Sequence, residues 1–380
     1  MMFRNYKFKN INIRLIIYCV LITVIGVLVV GSAGGEDYKN KQIIGMIIGV
    51  IIMTVVALVD YSFVIRFSWV YYIIAGILLL MVFTPYGYNA GTGATRWLRI
   101  SGFTFQPSEF AKLLLILFFA AYFMKHEEDI NKPKTLLKTA ILAAIPLALI
   151  IKEPDLSTTI VTFLTISMMF FAAGLTYKIV IAVLGVTIPA IILFLILEIQ
   201  GKSLLKGYQD RRILAWLHPE DHPGDAYQQQ NSIMAIGSGQ MLGKGLNNTS
   251  AYSVKNGNFI PEPHTDFIFA VAGEELGFIG AVVIIILLFL IAFEILRITK
   301  KAKDMAGKII CVGVASLITI QSFVNISVVT GLLPNTGLPL PFVSYGLTSL
   351  ITLYIGIGLV LNVGIQPKKT YIDEMKPLKF

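Results

Sequence analysis

Charged residues are scarce in this chain of 380 residues. Asp, Glu, Lys and Arg make up 14% of it, whereas hydrophobic residues make up 56%. Soluble globular domains are about a quarter charged, so the scarcity excludes an ordinary soluble globule. The mean hydropathy of +0.76 agrees with that exclusion. Acidic residues are scarcer than basic ones, 22 against 31, which gives a formal net charge of +9.

Cysteine is almost absent as well. Cys19 and Cys311 both fall inside apolar runs, so they form neither an extracytoplasmic disulfide framework nor a metal site. The sequence also lacks a dinucleotide-binding glycine motif, which disfavours a nucleotide-sugar donor. The glycine-rich stretch at 237–245 is not a P-loop, because Gly245 stands where Ser or Thr is required.

No soluble domain, low-complexity tract or internal repeat is recognisable. No basic stretch is interleaved with aromatic residues in a soluble module, so nucleic acid is not an expected partner. The positive charge instead favours anionic headgroups of membrane lipids. We interpret residues 1–380 as a single polytopic membrane domain.

Long apolar runs dominate what is present. A run of about 20 apolar residues is long enough to cross the bilayer as a helix. The first run is too long, and lacks the cleavage site, to be a removed signal peptide. The fold class predicted is an all-α integral membrane bundle of ten transmembrane helices, with one large polar loop at 201–265. The ten spans are predicted at 15–33, 43–59, 67–84, 108–124, 137–151, 156–175, 179–197, 266–293, 309–333 and 342–363.

The distribution of lysine and arginine predicts the orientation. The two tails and the connections near 60–66, 125–138, 176–178 and 294–308 carry 19 of these residues, whereas the short connections on the opposite side carry five. Because cytoplasmic loops are enriched in positive charge, both termini are expected in the cytoplasm. The 201–265 loop is then extracytoplasmic.

Several ionisable side chains lie at the outer ends of the predicted spans. Such groups are costly in a membrane and are functional-site hypotheses by default. A turn at 333–346, rich in Pro and Gly and without charged residues, is predicted on the same side. Irregular backbone at membrane depth is tolerated only where it is buried inside the protein or lines a cavity. We therefore expect one extracytoplasmic cavity. The ionisable residues are Arg96, Glu109, Lys112, Glu153, Asp155, Asp266, Glu274 and Glu275.

These blocks resemble the SEDS family, the RodA, FtsW and SpoVE proteins of bacterial cell-wall synthesis, from the first span to the last. The residue sequence of the final block is closer to RodA than to FtsW. Leu347 occupies the position after Tyr345-Gly346 where the family usually has a second Gly. The matching blocks are Gly93-Ala94-Thr95-Arg96-Trp97, Gln106-Pro107-Ser108-Glu109, Glu153-Pro154-Asp155-Leu156, His264-Thr265-Asp266-Phe267 with Glu274-Glu275-Leu276-Gly277, and Leu338-Pro339-Leu340-Pro341-Phe342-Val343-Ser344-Tyr345-Gly346.

The resemblance implies a ten-helix glycosyltransferase of the bacterial cytoplasmic membrane. Its members polymerise lipid II into glycan strands on the outer face, usually beside a class B penicillin-binding protein that crosslinks them. It implies a role in cell elongation or division. No cofactor is implied, and a divalent cation is left open.

Asp266 is the candidate general base. Joining two lipid-linked disaccharides requires a group that deprotonates the acceptor hydroxyl. Thr265 is expected to cap the eighth span and to leave Asp266 in its first turn, where the helix dipole favours an ionised carboxylate. Small residues on the Asp266 face of that helix are expected to let another helix approach closely. The alternative is that Asp266 is only an N-terminal helix charge.

The remaining candidates are assigned to substrate binding, and each has a structural alternative. Glu109 and Lys112, three residues apart, form either a structural pair or a cavity pair. Asp155 is either a ligand or the cap of the sixth span, and Arg96 either grips pyrophosphate or anchors the interface with Trp97. His264 is expected to position its turn, and Glu274 and Glu275 to join helices. The substrate-binding candidates are Arg96, Trp97, Gln106, Ser108, Glu109, Lys112, Asp155, Arg211, Arg212, Lys244, His264, Thr265, Ser344 and Tyr345.

Two other functions fit parts of this pattern. A flippase or transporter of lipid-linked precursors also uses intramembrane charges and broken helices, although its charges belong at the midplane rather than at one end. A non-catalytic scaffold for a class B penicillin-binding protein would use the outer loop as its docking surface. Polymer formation by purified protein separates these alternatives from the enzyme.

Overall fold

The computed structural model describes residues 6–89, 95–100, 103–199, 208–248, 253, 257 and 259–366. Helices dominate these residues. The helices are α1 (Ile13–Gly34), α2 (Glu36–Leu58), α3 (Tyr61–Val64), α4 (Ser68–Met81), α5 (Pro107–Lys125), α6 (Pro133–Lys152), α7 (Leu156–Ala172), α8 (Tyr177–Ile199), α9 (Tyr208–Leu217), α10 (Pro223–Ser238), α11 (Ile268–Thr299), α12 (Met305–Val329) and α13 (Leu347–Ile365).

The predicted spans agree with these helices. Within the described ranges, nine segments are long and apolar enough to cross a membrane, counting α3 and α4 with the short 3-10 turn between them as one; α7, with 17 residues, is a shorter apolar helix. The last span begins at Leu347 rather than at 342, because residues 341–346 form a turn in which Phe342 has φ of 65°. The prediction of an all-α membrane bundle is confirmed.

Burial separates central helices from peripheral ones. In α5 and α13, 83% of the apolar window is buried inside the protein, and in α12 72%; in α2 and α6 the share is 22%. Peripheral helices therefore leave most of their apolar side chains to lipid, whereas the central three carry the protein core. The candidate site lies where α5, α7, α11 and α12 meet at one end of this core.

Local sequence sets several of these helix starts. Proline occupies the first turn of α5 and α6, where the missing N–H has no helical partner. Asp155 caps α7 through the backbone N–H of Thr158 at 3.0 Å, so the capping interpretation of Asp155 is confirmed. Asp304 caps α12 in the same way through Gly307.

The segments outside the bundle have structure that the sequence analysis did not predict. Three short antiparallel strands, β1 (Gly87–Tyr88), β2 (Trp97–Ile100) and β3 (Phe103–Phe105), pair in the order β1-β2-β3 before α5. The polar segment at 201–265 contains α9 and α10 in its described part, and α10 packs along α11.

Helix α11 is broken near its start. Gly277 has φ of 67° and ψ of −167°, which interrupts the helix. The segment after α10 satisfies the interrupted backbone: the amides of Phe278 and Ile279 donate to the carbonyls of Gln240 and Met241 at 2.8 and 3.2 Å. A methyl group on Gly277 would lie 2.3 Å from the amide nitrogen of Gly243. A close approach to this small-residue face was expected from another helix; at Gly277 it is made by residues 240–243, which follow α10.

Candidate active site

Asp266 lies in a turn just before α11. The helix begins at Ile268, its N-cap is Phe267, and no acidic residue occupies its first turn. The predicted cap by Thr265 is therefore wrong: the Thr265 hydroxyl donates instead to the carbonyl of Glu262 at 2.8 Å, within its own turn. Asp266 is held from the backbone side, because Asn325 of α12 donates to its carbonyl at 2.7 Å.

The carboxylate of Asp266 and two guanidinium groups converge on Gly337. A methyl group added at Gly337 would lie 3.2 Å from Oδ2 of Asp266, 3.8 Å from Nη1 of Arg96 and 3.9 Å from Nη1 of Arg212. Gly337 has φ of 78°, a conformation that glycine adopts without steric cost. The turn at 333–346, called the final turn below, thus brings its backbone to the point where the three charged groups meet.

Backbone carbonyls orient both arginines. Arg96 donates from Nη2 to the carbonyl of Pro154, and Arg212 donates from Nη1 to the carbonyl of Asn335 at 3.1 Å. Nε of Arg96 lies 4.0 Å from Oδ2 of Asp155, so Asp155 is both the cap of α7 and a partner of Arg96. The two interpretations of Asp155 are therefore compatible.

Glu153 adds a second buried carboxyl beside this cluster. Its side chain is buried, and neither carboxyl oxygen has a hydrogen-bond partner among the described residues. Burial, reinforced by the charge of Asp155 and opposed by Arg96, raises the pKa of Glu153 to about 9. Glu153 is then neutral near pH 7 and adds no negative charge to the site.

The surroundings of Asp266 shift its pKa in opposite directions. Burial raises the pKa of Asp266 to about 6, while the guanidinium groups of Arg212 and Arg96 hold it down. A carboxylate with this pKa is mostly ionised at pH 7 and is more basic than an exposed aspartate. General bases work best when their pKa lies near the operating pH.

Polar side chains of α12 support the final turn. Asn325 donates to the carbonyl of Leu338 as well as to that of Asp266, at 2.6 and 2.7 Å. Gln321, one helical turn away, donates to the carbonyl of Pro339 at 3.0 Å. Sequence reasoning missed both amides; their spacing of four residues, which places them on one face of an apolar span, was the available signal.

Glu109 and Lys112 form a buried pair behind this support. Nζ of Lys112 lies 2.7 Å from Oε1 of Glu109, and both side chains are at most 3% exposed. The same Nζ donates to Gln321 at 2.8 Å. The pair is therefore connected to the final turn through Gln321, which favours a supporting role.

His264, Ser344 and Tyr345 join the final turn to the segment before α11. Ser344 donates to the carbonyl of Thr265 at 2.7 Å, and the Tyr345 amide donates to the carbonyl of His264 at 2.9 Å. The His264 ring packs on Tyr38 with centroids 4.1 Å apart. Burial lowers the pKa of His264, opposed by Glu262, so a neutral imidazole that positions the turn fits the contacts.

Other predicted site residues lie outside this convergence. Glu275 accepts from Ser32 of α1 at 2.6 Å, a contact between helices as expected. Glu274 pairs instead with Lys244 of the segment after α10, at 2.8 Å. Arg211 is exposed, whereas the neighbouring Arg212 is partly buried. The three remaining substrate-binding candidates, Trp97, Gln106 and Ser108, also lie outside the convergence.

Trp97 lies in β2 opposite Tyr88, Gln106 precedes α5 without a side-chain capping bond, and the buried hydroxyl of Ser108 has no partner among the described residues. Gly93 and Ala94 of the first matching block lie outside the described residues.

A small cleft of about 30 Å³ opens beside the convergence. Arg96 and Arg212 line it together with Ser157, Asn335 and Thr336. Ser157 donates to the carbonyl of Thr336 at 3.1 Å, which ties α7 to the final turn. In the part of the chain that the structure describes, no group of three or more His, Cys, Asp or Glu side chains is placed to hold a metal ion.

Comparison with known proteins decides the family. A family model described as Cell cycle protein, which covers FtsW, RodA and SpoVE, matches residues 13–369. This chain belongs to that family. As a family member it is 35% identical to the probable peptidoglycan glycosyltransferase FtsW of Geobacter metallireducens, over 96% of this chain and 97% of the relative. It is 34% identical to stage V sporulation protein E of Bacillus subtilis, over 93% of this chain and 96% of that relative.

Solved structures agree with the fold of the FtsW, RodA and SpoVE family. One match is a chain in a structure described as showing the structural coordination of polymerization and crosslinking by a peptidoglycan synthase complex. That chain is 25% identical and aligns with a TM-score of 0.76, over 95% of this chain and 98% of that chain. The rod shape determining protein RodA of Thermus thermophilus matches at 23% identity and a TM-score of 0.68, over 97% and 99%.

Proposed function

We propose that this chain is a peptidoglycan glycosyltransferase that polymerises lipid II into glycan strands at the outer face of the bacterial cytoplasmic membrane. The observation that carries the proposal is the meeting of the Asp266 carboxylate with Arg96 and Arg212 around Gly337. One base and two fixed cations are what a glycosyl transfer with a pyrophosphate leaving group requires. Family membership and the names of the relatives support the same activity.

The reaction is a single displacement at the anomeric carbon of the donor. Asp266 accepts the proton of the acceptor 4-hydroxyl as that oxygen forms its bond to the anomeric carbon. The bond from this carbon to the phosphate oxygen breaks, and undecaprenyl pyrophosphate leaves with the electron pair. Arg96 and Arg212 stabilise the charge that develops on the leaving group, because both are held in place by backbone carbonyls before substrate arrives.

Charge placement favours this enzyme over a transporter. The ionisable side chains gather where α5, α7 and α11 begin, at one end of the bundle, rather than midway along the spans. Placement in the membrane with both termini cytoplasmic puts this end outside. The chain is proposed to work beside a class B penicillin-binding protein, a pairing for which the similar chain from a peptidoglycan synthase complex is the support.

Asp266→Asn tests the base. The amide keeps the size of the side chain but does not accept a proton at neutral pH, and loss of a positioned base lowers rates by about 10²–10⁴-fold. The measurement is polymerisation of lipid II by purified protein, with and without a chelator of divalent cations, beside a thermal melt. Asp225→Asn, at an exposed site in α10, is the matched control and is expected to keep wild-type activity.

A folded Asp266→Asn protein that polymerises within a few-fold of wild type would remove Asp266 from the mechanism. Failure of wild-type protein to make polymer, combined with movement of lipid II across vesicle membranes, would favour the transporter instead. If this protein makes no polymer and only a transpeptidase bound to it is active, the result would favour the scaffold.

A further inference from the structure

A second cavity lies at the opposite end of the bundle from Asp266. It has a volume of about 420 Å³ and is formed by the start of α4, the end of α5 and the start of α6. The Asp266 site lies near the start of α5 and the end of α6. The two sites therefore face opposite membrane surfaces and do not share a lining residue.

The walls of this cavity are aromatic and its rim is basic. Trp69 and Tyr72 pack on Phe118 with ring centroids 5.0 and 4.5 Å apart, which fixes the aromatic wall. Three residues that carry basic nitrogens complete the lining: Lys125, His126 and Lys138. They come from the end of one helix and the start of the next, so the fold rather than one sequence run gathers them.

Among the described residues, no carboxylate lies within salt-bridge distance of Lys125, His126 or Lys138. The acidic run that follows, Glu127, Glu128 and Asp129, does not line the cavity, and its Asp129 pairs with Lys132 at 2.5 Å. Nδ1 of His126 lies 2.9 Å from the carbonyl of Tyr122; a carbonyl only accepts, so Nδ1 donates. Nε2 is the nitrogen left for a ligand, and it donates to an anion as the second N–H of a cationic ring.

The cavity is continuous with surfaces that lipid covers. Trp69 and Ile141, which line it, are 56% and 52% exposed, and Ile73 and Ile145, one turn further along the same helices, are 56% and 50% exposed. Exposed isoleucines on membrane-spanning helices contact acyl chains. A ligand that matches both the basic rim and the exposed apolar surface carries a negative headgroup and apolar tails.

We propose that this cavity binds an anionic phospholipid, with its phosphate between Lys125, His126 and Lys138 and an acyl chain along the α4 and α6 faces. Basic pockets between transmembrane helices bind such headgroups. Tryptophan and tyrosine at this depth suit the interface between headgroups and chains. The site is independent of the glycosyl transfer proposed above.

The test is lipid retention by the full chain purified from nanodiscs of equimolar phosphatidylglycerol and phosphatidylcholine, measured by native mass spectrometry. Wild-type protein is expected to retain phosphatidylglycerol selectively. In the double variant Lys125→Gln/Lys138→Gln, retention is expected to weaken about fivefold for each lysine removed. Lys134→Gln/Lys178→Gln removes the same charge from exposed positions on the same membrane side and outside the cavity, and is expected to change retention less than about twofold.

A second variant tests shape without charge. Ala121→Phe places a large ring at a residue that lines the cavity and is expected to reduce retention with all basic residues present. Equal loss in the two double variants, or equal retention of phosphatidylcholine, would overturn the proposal. So would thermal stabilisation by inorganic phosphate as large as that by phosphatidylglycerol, or a dimer that the cavity variants dissociate. Because both lysines are exposed, the double variant decides the question even if Ala121→Phe does not fold.

Discussion

At the scale of single residues, opposing influences set the chemistry of Asp266. Burial disfavours its ionised form, whereas Arg212 and Arg96 favour it, and the net result is a pKa of about 6. Without the arginines the pKa of Asp266 would be higher, and without burial it would be lower. The combination gives an ionised base at pH 7.

This balance predicts the pH dependence of polymerisation. The base acts when deprotonated, so kcat/KM is expected to fall about tenfold per pH unit below about 6 and to level off above it. Arg212→Gln removes a charge that holds the Asp266 pKa down, so the inflection is expected to move to higher pH. Initial rates across pH 5 to 8 provide the measurement.

Arg211→Gln is the matched control for that shift, because Arg211 is the exposed neighbour of Arg212. Its pH profile is expected to match that of wild type. An inflection that stays in place in Arg212→Gln would show that the titrating group is not Asp266 in the field of this arginine.

The Glu109–Lys112 pair makes a second prediction at the residue scale. Breaking a buried pair leaves an uncompensated charge and destabilises by about 3–5 kcal/mol. Glu109→Gln and Lys112→Met are each expected to lower the melting temperature and the activity, and the double variant to be milder than the sum of the two. Melting curves of all three variants form the double-mutant cycle.

Glu36 and Lys39 supply the control cycle. They have the same spacing and lie 2.9 Å apart, but their side chains are 74% and 33% exposed. Exposed pairs contribute only about 0–1 kcal/mol, so these variants are expected to melt near wild type. Strict additivity at Glu109 and Lys112 would show that the two do not interact.

At the scale of elements, the break in α11 is where the segment after α10 pairs with the helix that follows Asp266. Backbone hydrogen bonds from the amides of Lys244 and Gly245 to the carbonyls of Glu274 and Glu275, both 2.9 Å, complete the pairing around Gly277. The Lys244–Glu274 ion pair adds to the same junction. The segment after α10 therefore holds the start of α11, the helix that follows Asp266.

Gly243→Ala tests that junction. A methyl group there would lie 2.2 Å from the carbonyl oxygen of Glu275, and Gly243 has φ of 77°, so the substitution meets both a clash and backbone strain. We expect a lower melting temperature and reduced polymerisation. Gly237→Ala is the control: it lies in α10 with no atom within 4 Å of the added methyl, and alanine favours a helix by about 1 kcal/mol. Equal behaviour of the two variants would contradict the tight junction.

Structural elements could be predicted from the sequence where local interactions determine them, but not where contacts between distant segments do. The spans were predictable because hydropathy over about 20 residues reports burial in lipid directly. The start of α11 was not, because Ser344 and Asn325 hold the Thr265 and Asp266 carbonyls in a turn where local capping rules favour a helix. The meeting of Arg212 with Asp266 at Gly337 depends on three distant segments, which no local pattern specifies.

At the scale of the whole molecule, two polar regions lie at opposite ends of one apolar bundle. At one end, Arg96, Arg212, Asp155 and Asp266 balance one another around the final turn. At the other, lysines and arginines are in excess, as in the connection that contains Lys125 and Lys138. The positive-inside rule predicts that the second end is cytoplasmic, and the proposed synthesis of wall outside the membrane requires the first end to be outside.

This orientation is testable by cysteine labelling in intact cells. Gln230 is exposed in α10, so Gln230→Cys is expected to react with an impermeant thiol reagent from outside; Ser253, in the same polar segment, is 1% exposed and unsuitable. Lys134→Cys, exposed at the other end, is the control and is expected to react only after lysis. Native background is low because both natural cysteines are buried. The reverse labelling pattern would place Asp266 on the cytoplasmic side and remove the extracytoplasmic polymerase with it.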